Sequence, residues 1–255
     1  MRAMILAAGL GTRLRPLTDD RPKALVEVNG HTMLAMTLAS LRAFGVREVI
    51  VNAHHFAAKI VEYLKAHDNF GMHIEVSREE VLLDTGGGLK KAAPFFLRDG
   101  SDEPFLLHNV DVISTIDLDR MLRVHRNRGA LATLAVQQRT SSRQLLFDDQ
   151  LRLCGRRAEG QDELVRSATH LQPLAFCGIH VISPKLFSRM SEEGIFSIIS
   201  VYLRLAASET IAAFRAEEYY WRDLGTPEGV RGAAEDAACR ILSKACDRIL
   251  GSGSA

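Results

Sequence analysis

The residues best suited to chemistry stand in four short stretches. The first is LAAGLGTRLRPLTDDRPKAL, residues 6–25. Gly9 and Gly11 permit a tight turn and expose successive backbone N–H groups, a concavity that suits phosphate oxygens. Arg13, Arg15, Arg21 and Lys23 add positive charge to the same loop. It has neither the G-x-x-x-x-G-K-[ST] of a Walker A loop nor the G-x-G-x-x-G that opens a helix in dinucleotide folds. The other reading is a glycine-rich turn with solvated arginines. The second stretch, HNVDV, puts Asp111 just past the end of an apolar strand. Taken alone, Asp111 also reads as a helix-capping or turn aspartate. The third, YYWRDLGTPEG, puts Asp223 in a similar place, 112 residues further on. Two carboxylates at strand ends could converge on one divalent cation, and Mg2+ suits carboxylate and phosphate oxygens. The fourth is LLDTGGGLKKA, residues 82–92. Its three glycines would let a flat ligand or a phosphate approach the backbone, or would simply loosen a helix start; Lys90 and Lys91 read as solvated.

Alternating strands and helices would have to position these groups. Residues 3–8 read as a first core strand, followed by the polar loop of 9–22. A helix over 32–44 has Thr32 as its cap, with Leu34, Leu38 and Leu41 on one face. A strand at 47–52, a helix at 56–66 and a strand in MHIEV follow. The glycines open a helix over 86–96, and FLLH at 105–108 is a strand running directly into Asn109, Val110 and Asp111. Asp117 caps a helix reaching about residue 127. This order argues for a mostly parallel sheet covered on both faces, with ligands at the strand C-termini. After residue 129 the texture becomes strand-like, in ALATLAVQQ, QLLFDD, LRLCGRR and LAFCGIHVI. A helix over 195–207, a strand in IAAF and a closing helix over 227–248 complete the pattern. The expectation is one domain over 1–250, with a nucleotide-binding half at 1–128, a sugar-phosphate half with the closing helix at 129–250, and a tail at 251–255.

Composition narrows the classes. Thirty-two Lys and Arg against 31 Asp and Glu leave a net charge of +1, which gives no sign of a nucleic-acid surface. A hydrophobic fraction of 47% suffices for a core without disulfides. No cysteine pair has C-x-x-C spacing, and Cys177 in LAFCGIHVI reads as a buried thiol in a reducing compartment. The start, MRAMILAAG, breaks at Gly9 and reads as a strand rather than a signal peptide. No run reaches the roughly 20 apolar residues of a membrane span. His54 and His55 are adjacent, and no clustered Cys/His spacing suggests zinc; nor is there a G-x-S-x-G nucleophile elbow.

Three of these stretches, in order, carry a family resemblance. LAAGLGTRLRPLTDDRPKAL closely resembles the L-A-A-G-x-G-T-R-L-x-P-L-T…P-K-x-L signature of the sugar-phosphate nucleotidyltransferases. NVDV resembles their N-G-D-V segment, and WRDLGTPEG their W-x-D-x-G-T-P segment. LLDTGGGLKKA and TSSRQLLFDD look like the branch that uridylylates N-acetylmuramate 1-phosphate, and mannose-1-phosphate guanylyltransferases look similar as well. The resemblance implies a Rossmann-like, mixed and mostly parallel sheet, and a cytoplasmic bacterial enzyme that uses Mg2+. It also implies roles by position. Ala8, Gly9, Leu10, Gly11 and Thr12, together with Asn109, would bind base and phosphates. Arg13 and Lys23 would grip the triphosphate, and Asp111 and Asp223 would hold Mg2+, making Arg13, Lys23 and Asp111 the catalytic set. Asp84, Thr85, Gly86 and Gly87 would border the base.

The chain departs from the wider family at three places. Val110 replaces the common Gly before the metal aspartate, and Asp84 stands where close relatives often have Glu. The E-K-P segment is absent, with LRLCGRR in its region, so no sugar-phosphate lysine carries over. Arg143, Arg156 or Arg157 would compensate, or else are solvated turn residues. The expected partners are small molecules, an NTP and a sugar 1-phosphate, with neither nucleic acid nor membrane; the oligomeric state stays open, monomer included. The expected reaction joins a nucleoside monophosphate to the sugar 1-phosphate and releases pyrophosphate. UTP with N-acetylmuramate 1-phosphate is the first pairing and GTP with mannose 1-phosphate the second; a non-catalytic sensor on the same fold is the rival of another class.

Overall fold

The computed structural model describes residues 1–236 together with 239, 240, 242, 243, 246 and 247. In chain order, β1 (Arg2–Leu6) leads into the glycine loop, which holds single helical turns at Thr12–Leu14 and Lys23–Leu25. A ribbon of β2 (Glu27–Val28) and β3 (His31–Thr32) precedes α1 (Met33–Ala43). Next come β4 (Glu48–Ala53), α2 (Ala57–Ala66), β5 (His73–Arg78), α3 (Asp84–Lys91) and α4 (Ala93–Leu97). Strands β6 (Phe105–Asn109) and β7 (Val112–Ser114) flank Asp111 and lead to α5 (Leu118–Asn127). Strands β8 (Ala132–Gln137), β9 (Arg143–Phe147), β10 (Leu153–Ala158), β11 (Gln161–Leu164) and β12 (Gln172–Ile182) follow. Finally come α6 (Ile198–Ala206), β13 (Ile211–Arg215), β14 (Trp221–Asp223) and α7 (Pro227–Glu235). The last part of the expected closing helix lies largely outside the described residues, as does the tail at 251–255.

The chain divides into two interleaved compact units: Met1–Leu82, His108–Thr115 and the residues from Tyr220 on form the first, and Leu83–Leu107 with Ile116–Tyr219 the second. In the first unit β1, β4 and β5 run parallel, with Leu6 opposite Asn52 and Ala53 opposite Arg78. The intervening helices are the connections that parallel pairing demands. The Thr32 hydroxyl accepts from the Ala35 N–H at 3.1 Å and so starts α1 where its sequence indicates. Leu34, Leu38 and Leu41 are buried together with Met4, Ile5, Val49, Val51, Ile60 and Leu64. Each such side chain contributes roughly 1.5–3 kcal/mol.

In the second unit β12 is central. It pairs antiparallel with β8 and with β9, while β13 lies parallel to β8. The bulge between Phe176 and His180 contains Gly178 at φ +75°, a backbone setting that glycine adopts without strain. The β9–β10–β11 meander extends this sheet, and β11 is a strand not anticipated from sequence. Helix α5 starts on the Asp117 carboxylate, which accepts from Arg120 N at 2.8 Å. The buried Phe96 and Phe105 stack with the half-buried Phe187, and the Phe96 and Phe105 ring centres are 3.9 Å apart. The four cysteines are buried and form no disulfide, and burial pushes the Cys177 thiol up to about 12. Among the described residues no helix is long and apolar enough to cross a membrane.

His125 on α5 is buried with its Nδ1 3.0 Å from Thr133 Oγ1 on β8, and burial lowers its pKa from 6.5 to about 4, helped by the Arg126 charge. The unfolded chain therefore takes up a proton below about pH 6.5 that the folded chain resists until about pH 4. Stability is expected to fall across that window, by on the order of 3 kcal/mol from this residue. Unfolding midpoints of the wild type and His125→Gln at pH 7 and pH 4.5 check this; the variant should lose less on acidification.

Candidate active site

The glycine loop leaves the end of β1 under tight control. The Ala7 N–H donates to Asn52 Oδ1 at 2.7 Å, and Asn52 Nδ2 donates to Glu79 Oε1 at 2.8 Å. Asn52 and Glu79 are both buried, so these bonds are formed away from competing water. Gly11 sits at φ +67°, and its carbonyl accepts from the buried Thr18 hydroxyl at 2.9 Å. A Cβ on Gly11 would press against Thr18 and against Lys23 Cβ, at 3.0 and 3.1 Å. The side chain of Lys23 also passes Gly9, where a Cβ would stand 3.3 Å from both its Cε and its Nζ. The two glycines thus clear space for the lysine as well as turning the chain. Ala8 is buried, Gly9 and Leu10 are exposed, and Thr12 begins the short helical turn.

The loop cations separate into two groups. Arg15 and Arg21 pair with the neighbouring acids Asp19 and Asp20, at 3.5 and 2.9 Å. Lys23 instead places Nζ 2.9 Å from Asp111 Oδ2, with both side chains less than a fifth exposed. Asp111 follows β6, whose last residue is the half-buried Asn109. Val110 is buried, and its N–H donates to Leu6 O at 3.2 Å. The valine that stands in place of the family glycine is therefore a core residue, and the carboxylate after it reaches the sheet edge.

Asp223 is brought to Asp111 by a three-residue antiparallel ribbon. Strand β14 pairs with β7 so that Asp223 lies opposite Val112, and Leu224 N donates to Asp111 O at 2.8 Å. The chain then turns at Gly225, whose N–H donates to Asp223 Oδ1 at 2.6 Å. A Cβ on Gly225 would stand 2.7 Å from Asp223 Oδ1, 2.8 Å from Arg13 Nη2 and 3.3 Å from Asp111 Oδ2. One point in space is thus ringed by the three groups that sequence reading singled out, and Lys23 is bonded to the third. Asn52, Glu79, Thr18 and Gly225 were missed from sequence. Of these, Asn52 left a signal, as a polar residue near the end of the otherwise apolar run VIVNA.

The stretch from Asp84 to Gly88 belongs to the second unit, and its glycines lie inside α3, which begins at Asp84 and not at Gly86 as expected. Gly86 N and Gly87 N both donate to Phe196 O, at 2.9 and 3.2 Å. A Cβ on Gly86 would stand 2.5 Å from the Phe196 ring, and one on Gly87 2.5 Å from the Gly194 carbonyl oxygen. The close approach these glycines allow is made by the 194–196 segment. Asp84 is exposed at φ +59°, and its carboxylate accepts from Thr85 N at 2.6 Å; the Thr85 hydroxyl accepts from Ile198 N at 3.0 Å. Lys90 is not simply solvated, since Nζ donates to Glu192 O at 2.6 Å. Arg156 and Arg157 pair with Glu163 and Asp162 across the β10–β11 hairpin, and Arg143 is exposed at the start of β9.

A mixed parallel and antiparallel sheet flanked by helices, with a glycine loop after its first strand and carboxylates at its edge, places the protein among the Rossmann-like α/β proteins. Residues 2–144 match the family described as "Nucleotidyl transferase", and the chain belongs to that family, within the sugar-phosphate nucleotidyltransferase superfamily. It is 34% identical over 235 residues to an N-acetylmuramate alpha-1-phosphate uridylyltransferase of Caulobacter vibrioides, covering 89% of this chain and 92% of that protein. It is 29% identical to a mannose-1-phosphate guanyltransferase of Yarrowia lipolytica, spanning 89% of this chain but 61% of that longer protein. Among solved structures, HddC of Yersinia pseudotuberculosis complexed with GMP-PN has the same fold, with a TM-score of 0.72 at 21% identity, over 92% of this chain and 98% of the other.

Two glycine substitutions separate site from scaffold. Gly225→Ala inserts a methyl group among Asp223, Arg13 and Asp111. It should lower kcat/KM about 10- to 100-fold with little change in Tm, because small misplacements of catalytic groups are costly. Gly87→Ala drives a methyl into a backbone carbonyl. It should destabilise the fold by about 1–3 kcal/mol, measured as a lower urea midpoint.

Proposed function

We propose that the protein transfers a nucleoside monophosphate from an NTP to a sugar 1-phosphate, releasing pyrophosphate and forming an NDP-sugar. The observation that carries this reading is the convergence of Asp111, Asp223 and Arg13 on the empty side-chain position of Gly225, with Lys23 bonded to Asp111. A cation site fits there. The donors are carboxylate oxygens, and the missing Cβ leaves space between them. Among the described residues no group of three or more His, Cys, Asp or Glu could hold a metal alone. A pair of carboxylates completed by substrate phosphates is nevertheless the usual protein share of a Mg2+ site. In this reading Asp111 and Asp223 hold Mg2+, which when bound polarises phosphate oxygens and offsets negative charge.

The chain's own groups do the rest. A sugar 1-phosphate is already largely dianionic at neutral pH, its second pKa being about 6, so no general base is required. One of its oxygens attacks the α-phosphorus in line. The new O–P bond forms as the bond to the departing pyrophosphate breaks, and no proton need move. Two anions must meet, and Arg13 and Lys23 reduce their repulsion and stabilise the leaving group. Ala8, Gly9, Leu10, Gly11 and Thr12 are assigned to phosphates and base through their backbone, with Asn109 beside the catalytic aspartate. Asp84, Thr85, Gly86 and Gly87 are assigned to the base from their place in the motif. A sensor without catalysis would have no need of this complete set of cations and carboxylates.

For the substrates, we favour UTP with N-acetylmuramate 1-phosphate. The 34% identity to the Caulobacter enzyme over 92% of its length supports this pairing. The second reading, GTP with mannose 1-phosphate, is favoured by the match to the Yarrowia protein, which spans 89% of this chain at 29% identity. A matrix of UTP, GTP, dTTP and CTP against N-acetylmuramate, N-acetylglucosamine, glucose and mannose 1-phosphates, scored by kcat/KM, decides between them. UTP with the muramate sugar should lead, and a lead for GTP with mannose 1-phosphate would overturn the pairing. Asp111→Asn and Asp223→Asn should each cut kcat at least about 10²-fold without loss of fold, the usual cost of removed transition-state electrostatics. Wild-type turnover from either folded variant at saturating Mg2+ would remove that carboxylate from the mechanism.

A further inference from the structure

We propose that Lys23 is a counter-ion that keeps Asp111 closed to a divalent cation until a polyphosphate draws it away. The inference rests on the nucleotidyl-transfer reading and goes beyond it by making cation and nucleotide binding interdependent. Lys23 Nζ lies 2.9 Å from Asp111 Oδ2, the oxygen that faces the Gly225 space. The two side chains are 16% and 13% exposed, so water screens the pair only partly. The lysine stem is confined by Gly9 and Gly11, at positions where any side chain would crowd it. Arg13 brings a second cation to the other side of the same space. Two cations thus face two carboxylates, and the site carries no surplus negative charge to attract a free metal ion.

A metal ion arriving alone must displace an ammonium from Asp111 against two positive charges. A triphosphate reverses the balance. It supplies anionic oxygens that re-pair Lys23 as the ammonium leaves Asp111, so the lost ion pair is replaced and not merely broken. Asp111 Oδ2 is then free to ligate. The same lysine serves both partners in turn. Cation and nucleotide must therefore each tighten the binding of the other, since coupling between two sites is reciprocal.

The test is Mn2+ binding to nucleotide-free protein, by calorimetry and by the loss of the free-ion paramagnetic resonance signal. Lys23→Met keeps the stem and removes the charge, and Lys23→Gln is the second variant should the first misfold. Either folded variant should bind Mn2+ about tenfold or more tightly than wild type, within the usual size of such couplings. Arg15→Met is the control. It removes one charge from the same loop but pairs with Asp19, not Asp111, and should leave Mn2+ affinity at the wild-type value. Equal Mn2+ affinity in wild type and the folded Lys23 variants would overturn the proposal. So would an equal gain in Arg15→Met, which would make the effect one of bulk charge. Pyrophosphate release by wild type tests the underlying reading separately. Its presence beside unchanged Mn2+ affinity would sink the counter-ion role alone, and its absence would sink the nucleotidyl-transfer reading alone.

Discussion

The site depends on a backbone pairing that is only three residues long. Asp111 stands immediately before β7, and Asp223 closes β14. Val112 lies opposite Asp223, and the Asp111 carbonyl accepts from Leu224 N, so the two carboxylates share one sheet edge despite their separation in the chain. Thr115 N donates to Tyr220 O at 3.0 Å, and Tyr220 N donates to Thr115 Oγ1 at 3.1 Å, which continues the ribbon at its far end. Asp236 then ties down the same strand, accepting from Tyr220 OH and Arg222 Nε at 2.7 and 2.8 Å. So short a ribbon would have little stability alone. Its neighbours hold it, and it in turn holds like charges together that would otherwise separate.

The second requirement is empty volume. Gly9, Gly11 and Gly225 contribute no side chain where Lys23, Arg13 and the carboxylates need to lie. Only at Gly11 does a positive φ also call for glycine. At Gly225 the constraint is steric, because the missing methyl is the space that Asp223, Arg13 and Asp111 surround. The Asn52–Glu79 relay supplies the matching rigidity by fixing the Ala7 N–H at the point where β1 becomes loop. Buried polar bonds of this kind are costly to leave half-made, so they select one loop position. A loop bound only by its own turns would let Lys23 wander from Asp111.

What could be read from sequence was what local spacing determines. The caps at Thr32 and Asp117 fall where expected, and the buried faces of α1 follow from apolar spacing. Asp111, Asp223, Arg13 and Lys23 could be singled out because charged residues beside strand ends and glycines are unusual in a way that composition is not. Their mutual distances were hidden, because β7 and β14 are too short to show a strand period. The surroundings of the triple glycine were hidden as well. Its helix is local, but Gly86 and Gly87 lie against Phe196 and Gly194, more than a hundred residues away. Arg156 and Arg157 had acidic neighbours at hairpin spacing, and the β10–β11 turn that joins them contains Gly160 at φ +77°. That turn, like Asn52 in its apolar strand, was a legible signal that went unused.

Charge and base recognition are carried by different kinds of group, which is why the first was easier to assign. In the proposed reading the carboxylates and cations of the first unit act on phosphates that every NTP shares. Base choice needs directional donors and acceptors, and Gly86 N and Gly87 N already donate to Phe196 O. If α3 reads a base, the reading falls to Asp84 and Thr85. Asp84 is held at φ +59°, a costly setting for an aspartate but one that Asp tolerates better than most residues. Its carboxylate accepts from Thr85 N, and the Thr85 hydroxyl, accepting from Ile198 N, keeps its own hydrogen to donate. An acceptor and a donor on adjacent residues would suit a base edge where a ring N–H lies beside a carbonyl oxygen. Uracil and guanine both present such an edge.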